Sequence, residues 1–250
     1  MERIEYFFEN RRTRIPKRVG PFFHLFVCVH HGYVALCLNK KRDLTNITDQ
    51  RVLDMEVFAP LFFTSWNFLI QLVYFTSALM YDILHMLSIR RDIQEKMLRY
   101  KGYIFTSSLF PFSVFVSTMF WSLYNINREF VLPEVLDKYI PTWLNHCLHT
   151  NILIFAAIEM LIANQLLPTF ISAFFGLNVI VISYHTLLIL TYFWIGRWPY
   201  GLFYIFTWPE RITFFFSYYL FTVWMMKVGM TIQKFKQRVS IKKSERCKTS

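Results

Sequence analysis

Two stretches of otherwise apolar sequence carry polar side chains that can exchange protons. In the first, WLNHCLHT at 143–150, Asn145, His146 and His149 stand directly before the apolar run ILIFAAI. On a helix, Asn145 stacks over His149 on one face, and His146 lies about 60° from His149 around the axis. Ionisable residues inside a membrane are costly unless they face the interior of a helix bundle, so this face predicts a buried functional cavity.

The second stretch, FTSWNFLIQ at 63–71, places Thr64, Asn67 and Gln71 on one helical stripe. We expect both stretches to begin helices that enter from the same side, so Thr64 and His149 lie at similar depth. An imidazole can take the proton of a hydroxyl and make its oxygen a useful nucleophile. The simpler interpretation is that Thr64 and its neighbour Ser65 donate to carbonyls of their own helix.

The same histidines also allow a zinc site. His146 and His149 would need a further ligand such as His185 or Glu159, but Glu159 is ten residues beyond His149, about 15 Å along a helix. The sequence has no HExxH pattern. A metal centre is therefore the weaker interpretation, and we expect no cofactor.

Further titratable residues lie in or near the apolar segments. We interpret Asp82 and Glu159 as solvated charges at helix ends, with an interhelical pair to a basic residue as the alternative. His24, His30 and His31 fall in the first apolar segment, where we expect them to tune a helix interface without binding a ligand.

The composition indicates the elements that position these residues. The 250-residue chain is 55% hydrophobic and only 17% charged, against about 25% charged for an ordinary soluble domain. Six uncharged stretches approach or exceed the roughly 20 residues that span a bilayer. They run over 19–39, 57–81, 102–127, 140–158, 160–196 with a break at Pro168, and 212–226 with an extension toward 232. The sequence therefore predicts an all-α, polytopic membrane protein with six transmembrane helices.

The basic residues predict the orientation. Of the 27 lysines and arginines, nineteen fall on the side that holds both chain ends and eight on the other. By the positive-inside rule, both termini are cytoplasmic. Because the net charge of +11 collects at the chain ends and in one loop, it favours a membrane surface and not nucleic acid as the partner.

We find no internal repeat and no flexible linker, so residues 1–250 are predicted to form a single membrane domain. Residues 1–18 are a basic cytoplasmic tail, 19–232 the six-helix bundle and 233–250 a basic, disordered cytoplasmic tail. The first segment has no small-residue cleavage site and is predicted to be a retained anchor. Asn46 begins a sequon in a lumenal loop, where it could be glycosylated; a chance triplet too near the membrane is an equal alternative.

The segments together resemble the androgen-induced and androgen-dependent TFPI-regulating protein family of membrane hydrolases. The strongest resemblance runs over 109–160, through LFPFSVFV and FWSLYNINREFVLPEVLDKYIPTWLNHCLHT. A weaker one covers the second segment, at Phe62, Thr64 and Ile70-Gln71. The resemblance fades in the N-terminal tail, the 40–56 loop and the basic C-terminus.

The resemblance implies a multi-pass enzyme that hydrolyses fatty acid esters of hydroxy fatty acids. It assigns the family's threonine nucleophile to Thr64 and the histidine base to His149. Asn145 and His146 are then candidate oxyanion donors, with Asn67 behind them, and Asn145 could instead orient His149. The implied partners are the lipid substrate and the bilayer, and the expected location is the endoplasmic reticulum and wider endomembrane system or the plasma membrane.

The chain departs from the family pattern in three places. Asn67 stands where relatives can carry an acidic residue, Ser65 beside Thr64 leaves open which hydroxyl attacks, and GRWPY at 196–200 only partly reproduces an aromatic turn. The departure at Asn67 keeps a second function open, that of a non-catalytic membrane adaptor or lipid-binding regulator with the family fold.

Overall fold

The computed structural model describes residues 19–40 and 47–249, and for residues 241–249 it describes the backbone only. The predicted sequon at Asn46 and the predicted tail at 1–18 lie outside the described residues. Throughout the described part, the chain is helical and contains no strand.

Within the described ranges, eight α-helices follow one another, two of them short. They are α1 Val19–Leu38, α2 Gln50–Val57, α3 Phe63–Met86, α4 Arg91–Ile126, α5 Thr142–Ile162, α6 Phe170–Ile195, α7 Leu202–Ile205 and α8 Trp208–Thr249. Short 3-10 turns at Ala59–Leu61, Arg128–Phe130 and Glu134–Lys138 lie in the connections.

Six of these helices are long and apolar enough to cross a membrane, namely α1, α3, α4, α5, α6 and α8. Large apolar side chains cover their outward faces; Trp194 on α6, for example, is 91% exposed. Such a surface is stable against lipid and unfavourable in water. The all-helical fold with six membrane-spanning helices is thereby confirmed, while the cytoplasmic position of the termini stays a prediction.

Aromatic and aliphatic side chains fill the space between α3, α4, α6 and α8. Phe63, Phe112, Leu177 and Met226, one from each helix, are buried in this cluster. Burial of such side chains is the main source of close packing between the helices, since each loses its contact with solvent or lipid. The cluster fixes the N-terminal end of α3, where Thr64 lies.

Two helices extend beyond the predicted segments. α4 begins at Arg91, where the sequence predicted a segment from 102. α8 continues through Thr249, so the helix does not end at 232, and the backbone of residues 233–249, for which the sequence predicted disorder, is helical. Gln233 and Lys236 on α8 donate to main-chain carbonyls of Met160 and Ala163 at the end of α5, which anchors the extension.

The prediction that Asp82 and Glu159 are solvated end charges is wrong. Their residues are only 6% and 0% exposed, and both carboxylates contact His24 of α1. Asp82 Oδ2 lies 2.5 Å from Nδ1 and Glu159 Oε2 lies 3.0 Å from Nε2. The two contacts, one at each ring nitrogen, join α1, α3 and α5, and the geometry suits a His24 ring that donates from both nitrogens, an imidazolium.

Lys101 of α4 completes this buried charge cluster of His24, Asp82, Glu159 and Lys101. Its Nζ lies 4.0 Å from Glu159 Oε1, so two positive groups face two negative ones. The predicted segment from 102 left Lys101 outside the membrane, but α4 carries it inside the bundle because the helix begins earlier than expected. The cluster holds together the end of the bundle at which α3 and α5 finish.

Candidate active site

Thr64 and His149 meet at the opposite end of the bundle, in the first turns of α3 and α5. Thr64 Oγ1 lies 3.1 Å from His149 Nε2, although the residues are 85 positions apart in the chain. The expected proximity of these two side chains is thus confirmed, whereas their catalytic role is a separate question. The alternative in which Thr64 donates to its own helix is not what the structure has.

Asn145 sets the tautomer of the imidazole. His149 Nδ1 lies 2.7 Å from Asn145 Oδ1 and 3.1 Å from the Asn145 carbonyl oxygen. Two acceptors at Nδ1 place the proton there, which leaves the lone pair of Nε2 to accept from Thr64. Of the two roles left open for Asn145, orientation of His149 is the one that the geometry favours.

A π turn and an aromatic ring hold His149 in place. α5 is α-helical over Thr142–His146, forms a π turn over Cys147–Asn151 and is α-helical again from Ile152. The ring of Phe120, on α4, stacks on the imidazole with centroids 3.5 Å apart. Single π turns inside α-helices occur frequently at functional sites, and here the turn presents the imidazole to Thr64.

A layer of hydrogen bonds behind the pair joins four helices. Gln71, two turns beyond Thr64 on α3, donates to Ser113 Oγ and to the Ile152 carbonyl, both at 2.8 Å. Its Oε1 accepts from His31 Nε2 at 3.1 Å. Because these bonds reach α1, α4 and α5, they fix the rotation of α3 and with it the direction of the Thr64 hydroxyl.

The remaining predicted site residues are not brought into contact with the pair. His146 is exposed, lies 3.0 Å from the Thr150 hydroxyl and stacks on Trp121, so the structure does not bring it to the pair and its role as an oxyanion donor stays a prediction. Ser65 is also exposed, and its hydroxyl donates to the Ala59 carbonyl at 2.7 Å. Thr64 is therefore the hydroxyl that reaches the base.

Asn67 is fully buried one turn beyond Thr64. Its Oδ1 accepts from Ser113 Oγ at a long 3.4 Å, and its Nδ2 has no hydrogen-bond partner within the described part of the protein. Asn67 is not among the residues that line the cavity next to Thr64. It is placed to support α3 more directly than to touch a ligand.

An apolar cavity opens beside the Thr64 hydroxyl. Its volume is about 80 Å³. Phenylalanine, valine, leucine and methionine side chains of α3, α4, α6 and α8 form most of its wall. The polar groups on the wall are Thr64 and the tyrosines Tyr184, Tyr200 and Tyr218. Such a space suits an aliphatic chain whose reactive group is held at one polar spot.

Two of these tyrosines approach the start of α3. Tyr200 Oη accepts from the Phe63 amide at 2.9 Å and lies 3.2 Å from Tyr184 Oη. Burial raises the pKa of Tyr200, so its hydroxyl remains a proton donor over the whole neutral range. The first amide of α3, which no helical carbonyl can satisfy, is thereby bonded.

The connection between α4 and α5 covers this end of the bundle. Arg128 stacks on Tyr124 with its guanidinium carbon 5.2 Å from the ring centroid and pairs with Asp137. Trp121 Nε1 donates to Thr150 Oγ1 at 3.0 Å. These residues belong to the stretch 109–160, on which the sequence resemblance rests. Their contacts hold the π turn of α5 against α4, which gives the residue types in this stretch a structural role.

A sequence model of the FAR-17a/AIG1-like protein family matches residues 20–234, which is most of the chain. The chain belongs to this family. An androgen-dependent TFPI-regulating protein from Mesocricetus auratus is 29% identical over 181 residues, 72% of this chain and 78% of that protein. Its Homo sapiens counterpart is 29% identical over 175 residues, 70% and 76% of the two chains.

A second branch of the FAR-17a/AIG1-like family is also similar to this chain. The androgen-induced gene 1 protein of Homo sapiens is 32% identical over 152 residues, 54% of this chain and 62% of that protein. No solved structure matches the chain significantly. The resemblance inferred from the sequence motifs is thus confirmed at the level of the family.

The zinc alternative finds no geometric support in this family member. Among the side chains of residues 19–40 and 47–240, no group of three or more His, Cys, Asp or Glu is placed to hold a metal ion. His149 faces Thr64 and Asn145, while His185 contacts Tyr218 on α8. Glu159 belongs to the buried charge cluster at the other end of α5.

Sequence reasoning missed three side chains that shape the site. Phe120 stands one position before Trp121 in the family stretch, but nothing in its type separates it from the other phenylalanines. Tyr184 and Tyr200 come from α6 and the following loop. The hydroxyl of Tyr200 accepts from the amide of Phe63, which lies 137 positions earlier in the chain. The aromatic turn at 196–200 was the one available signal, since it carries a hydroxyl in an apolar setting.

Proposed function

We propose that this protein is an intramembrane lipid ester hydrolase that cleaves fatty acid esters of hydroxy fatty acids into a fatty acid and a hydroxy fatty acid. The observation that carries the proposal is the 3.1 Å contact between Thr64 Oγ1 and His149 Nε2 at the wall of an apolar cavity. The substrate class comes from the family resemblance. A nucleophile, its base and an apolar space beside them are the parts that hydrolysis of a lipid ester requires.

The reaction divides into acylation and deacylation. In acylation, Thr64 Oγ bonds to the ester carbonyl carbon while its proton passes to His149 Nε2. The tetrahedral intermediate collapses, the bond to the ester oxygen breaks, and Nε2 returns the proton to the leaving alkoxide. The products of this half are a free hydroxy fatty acid and an acyl-threonine.

In deacylation, water takes the place of the leaving group. Nε2 accepts a proton from the water as the water oxygen bonds to the acyl carbon, and the bond to Thr64 Oγ then breaks. The proton moves back to Oγ, which restores the starting state and releases the fatty acid. Asn145 holds the imidazole in one tautomer in both halves and accepts from Nδ1–H while the ring is positively charged.

A membrane cavity suits this substrate better than a water-exposed cleft would. The ester lies near the middle of two aliphatic arms, and both arms prefer hydrocarbon surroundings. Thr64 contributes a polar spot to a wall that is otherwise mostly apolar. The cavity accommodates an aliphatic segment beside the hydroxyl, and the second arm extends toward the lipid.

Ester hydrolysis in membranes that express the protein tests the proposal. Wild type, Thr64→Ala, Ser65→Ala and His149→Ala are compared on a fatty acid ester of a hydroxy fatty acid, with labelling by a fluorophosphonate probe in parallel. We expect wild type and Ser65→Ala to hydrolyse and to label, and the other two to lose turnover by at least about a thousandfold. Ser65 is the matched control, because its hydroxyl is adjacent in sequence but bonded to Ala59.

The absence of hydrolysis and labelling in wild type would favour a non-catalytic function. If well-expressed wild type neither hydrolyses the ester nor takes the label, the hydrolase proposal is wrong. The fold then serves as a non-catalytic adaptor or lipid-binding regulator, and binding of the intact ester by the same membranes becomes the measurement to make.

A further inference from the structure

Ester hydrolysis needs hydrogen-bond donors for the carbonyl oxygen, and the predicted candidates do not supply them. None of Asn145, His146 and Asn67 lines the cavity, and His146 is also exposed. The tetrahedral intermediate carries its negative charge on an oxygen that points into the cavity beside Thr64. A donor must therefore come from the wall itself.

The hydroxyl pair of Tyr184 and Tyr200 lies at the required place. Both residues line the cavity together with Thr64. Tyr200 Oη is 2.9 Å from the amide nitrogen of Phe63, the residue that directly precedes Thr64. An ester carbonyl in position for attack by Thr64 consequently lies next to this pair, while the third cavity tyrosine, Tyr218, has its hydroxyl against His185.

One of the two hydroxyl protons of Tyr184 and Tyr200 is free to donate to a ligand. Two hydroxyl protons are present, and the single contact between Tyr184 Oη and Tyr200 Oη uses one of them. The Phe63 amide brings a proton to Tyr200 and takes none. One O–H thus has no acceptor in the part of the chain that the structure describes. A buried hydroxyl proton without an acceptor is unfavourable, and a carbonyl oxygen in the cavity would satisfy it.

We propose that Tyr200 donates its O–H to the oxyanion formed on the ester carbonyl and that Tyr184 donates to Tyr200. This inference rests on the proposed hydrolase function. In the occupied site, Tyr200 Oη accepts from both the Phe63 amide and Tyr184 O–H, and this polarises its own O–H bond toward the substrate. The donors hold negative charge without giving up their protons, so Thr64 and His149 perform the proton transfers unchanged.

Tyr200→Phe tests the inference, because it removes the hydroxyl and keeps the ring. Loss of one oxyanion donor lowers kcat by about 100-fold or more, with little effect on KM, since the donor acts on the transition state. Tyr184→Phe leaves the donor in place and removes only its polarising bond, so its loss in kcat is smaller. Tyr219→Phe is the matched control: its hydroxyl donates to Asn178 and it does not line the cavity.

A thionoester substrate, with sulfur in place of the carbonyl oxygen, separates a catalytic from a structural effect. Sulfur is a weak hydrogen-bond acceptor, so wild type should prefer the oxygen ester. In Tyr200→Phe this preference should fall on the order of tenfold, since the lost donor no longer discriminates. A variant that is merely misfolded loses both activities equally and keeps the preference.

The outcomes are distinct from those of the parent proposal. The inference is overturned if Tyr200→Phe keeps the kcat of wild type or loses activity equally on both esters. Hydrolysis by wild type would still support the hydrolase function in that case. If wild type neither hydrolyses nor labels, both fall. If Tyr200→Phe does not fold, the ester preference of Tyr184→Phe decides, because an unaltered preference there contradicts a polarised Tyr200 donor.

Discussion

Replacing Asn145 by alanine isolates the contribution of the residue that orients the base. In the structure, Asn145 Oδ1 lies 2.7 Å from His149 Nδ1, and the backbone carbonyl of the same residue lies 3.1 Å from it. The substitution removes the shorter contact and keeps the longer one. His149 therefore keeps its tautomer, but it has a single acceptor at Nδ1 when the ring becomes positively charged.

The size of the effect follows from the charge on the donor. A hydrogen bond to a charged group contributes about 1.5–3 kcal/mol, which corresponds to roughly 10- to 150-fold in rate. Because the backbone carbonyl still accepts from Nδ1, we expect the lower part of this interval, a loss of about 10- to 30-fold in kcat. Asn145→Asp keeps an acceptor oxygen at the same place and should retain more activity than Asn145→Ala.

The assay is ester hydrolysis at saturating substrate, with the amount of each variant in the membrane measured alongside. Asn178→Ala serves as the control, because Asn178 is likewise a hydrogen-bonded asparagine of a membrane helix but lies on α6 away from the site. Unchanged kcat in Asn145→Ala at wild-type protein level would refute the orienting role. An equal loss in Asn145→Asp would show that the NH2 group of the amide, and not its oxygen, matters.

Two further predictions concern the stability of the bundle, each read from thermal unfolding in detergent. Glu159→Gln leaves His24 and Lys101 facing one carboxylate, and it should lower the free energy of unfolding by about 3–5 kcal/mol. Adding Lys101→Met restores the charge balance and should restore part of the stability. A double variant that is no more stable than the single one would contradict this account. Gly102→Ala should lower the unfolding temperature sharply, because an added Cβ would lie 1.9 Å from the Leu166 carbonyl oxygen. Gly32→Ala is the control and should leave the unfolding temperature unchanged, because a Cβ at Gly32 has nothing within 4 Å. Equal effects of the two substitutions would disprove the steric argument.

The sequence was informative wherever the deciding property is local. The six helices follow from the length of uncharged runs, and the convergence of Thr64 and His149 follows from helical spacing in two segments that begin on one side. The bond between His24 and Glu159 joins residues 135 positions apart, and no periodicity indicates it. The contact of Tyr200 with the start of α3 and the burial of Lys101 likewise depend on how the helices pack, which hydrophobic pattern alone does not determine.

The π turn of α5 has a consequence for how such a protein changes over evolutionary time. A π turn amounts to an α-helix with one inserted residue, absorbed locally, so the flanks keep the faces they would have without it. Leu144 before the turn and Ile152 after it are both buried, and His149 lies between them. Loss of a single codon in 147–151 would hence leave both flanks facing inward while the imidazole moves away from Thr64. The proposed catalysis and the fold are therefore separable by one deletion, and a lineage could lose the reaction without rebuilding the membrane protein around it.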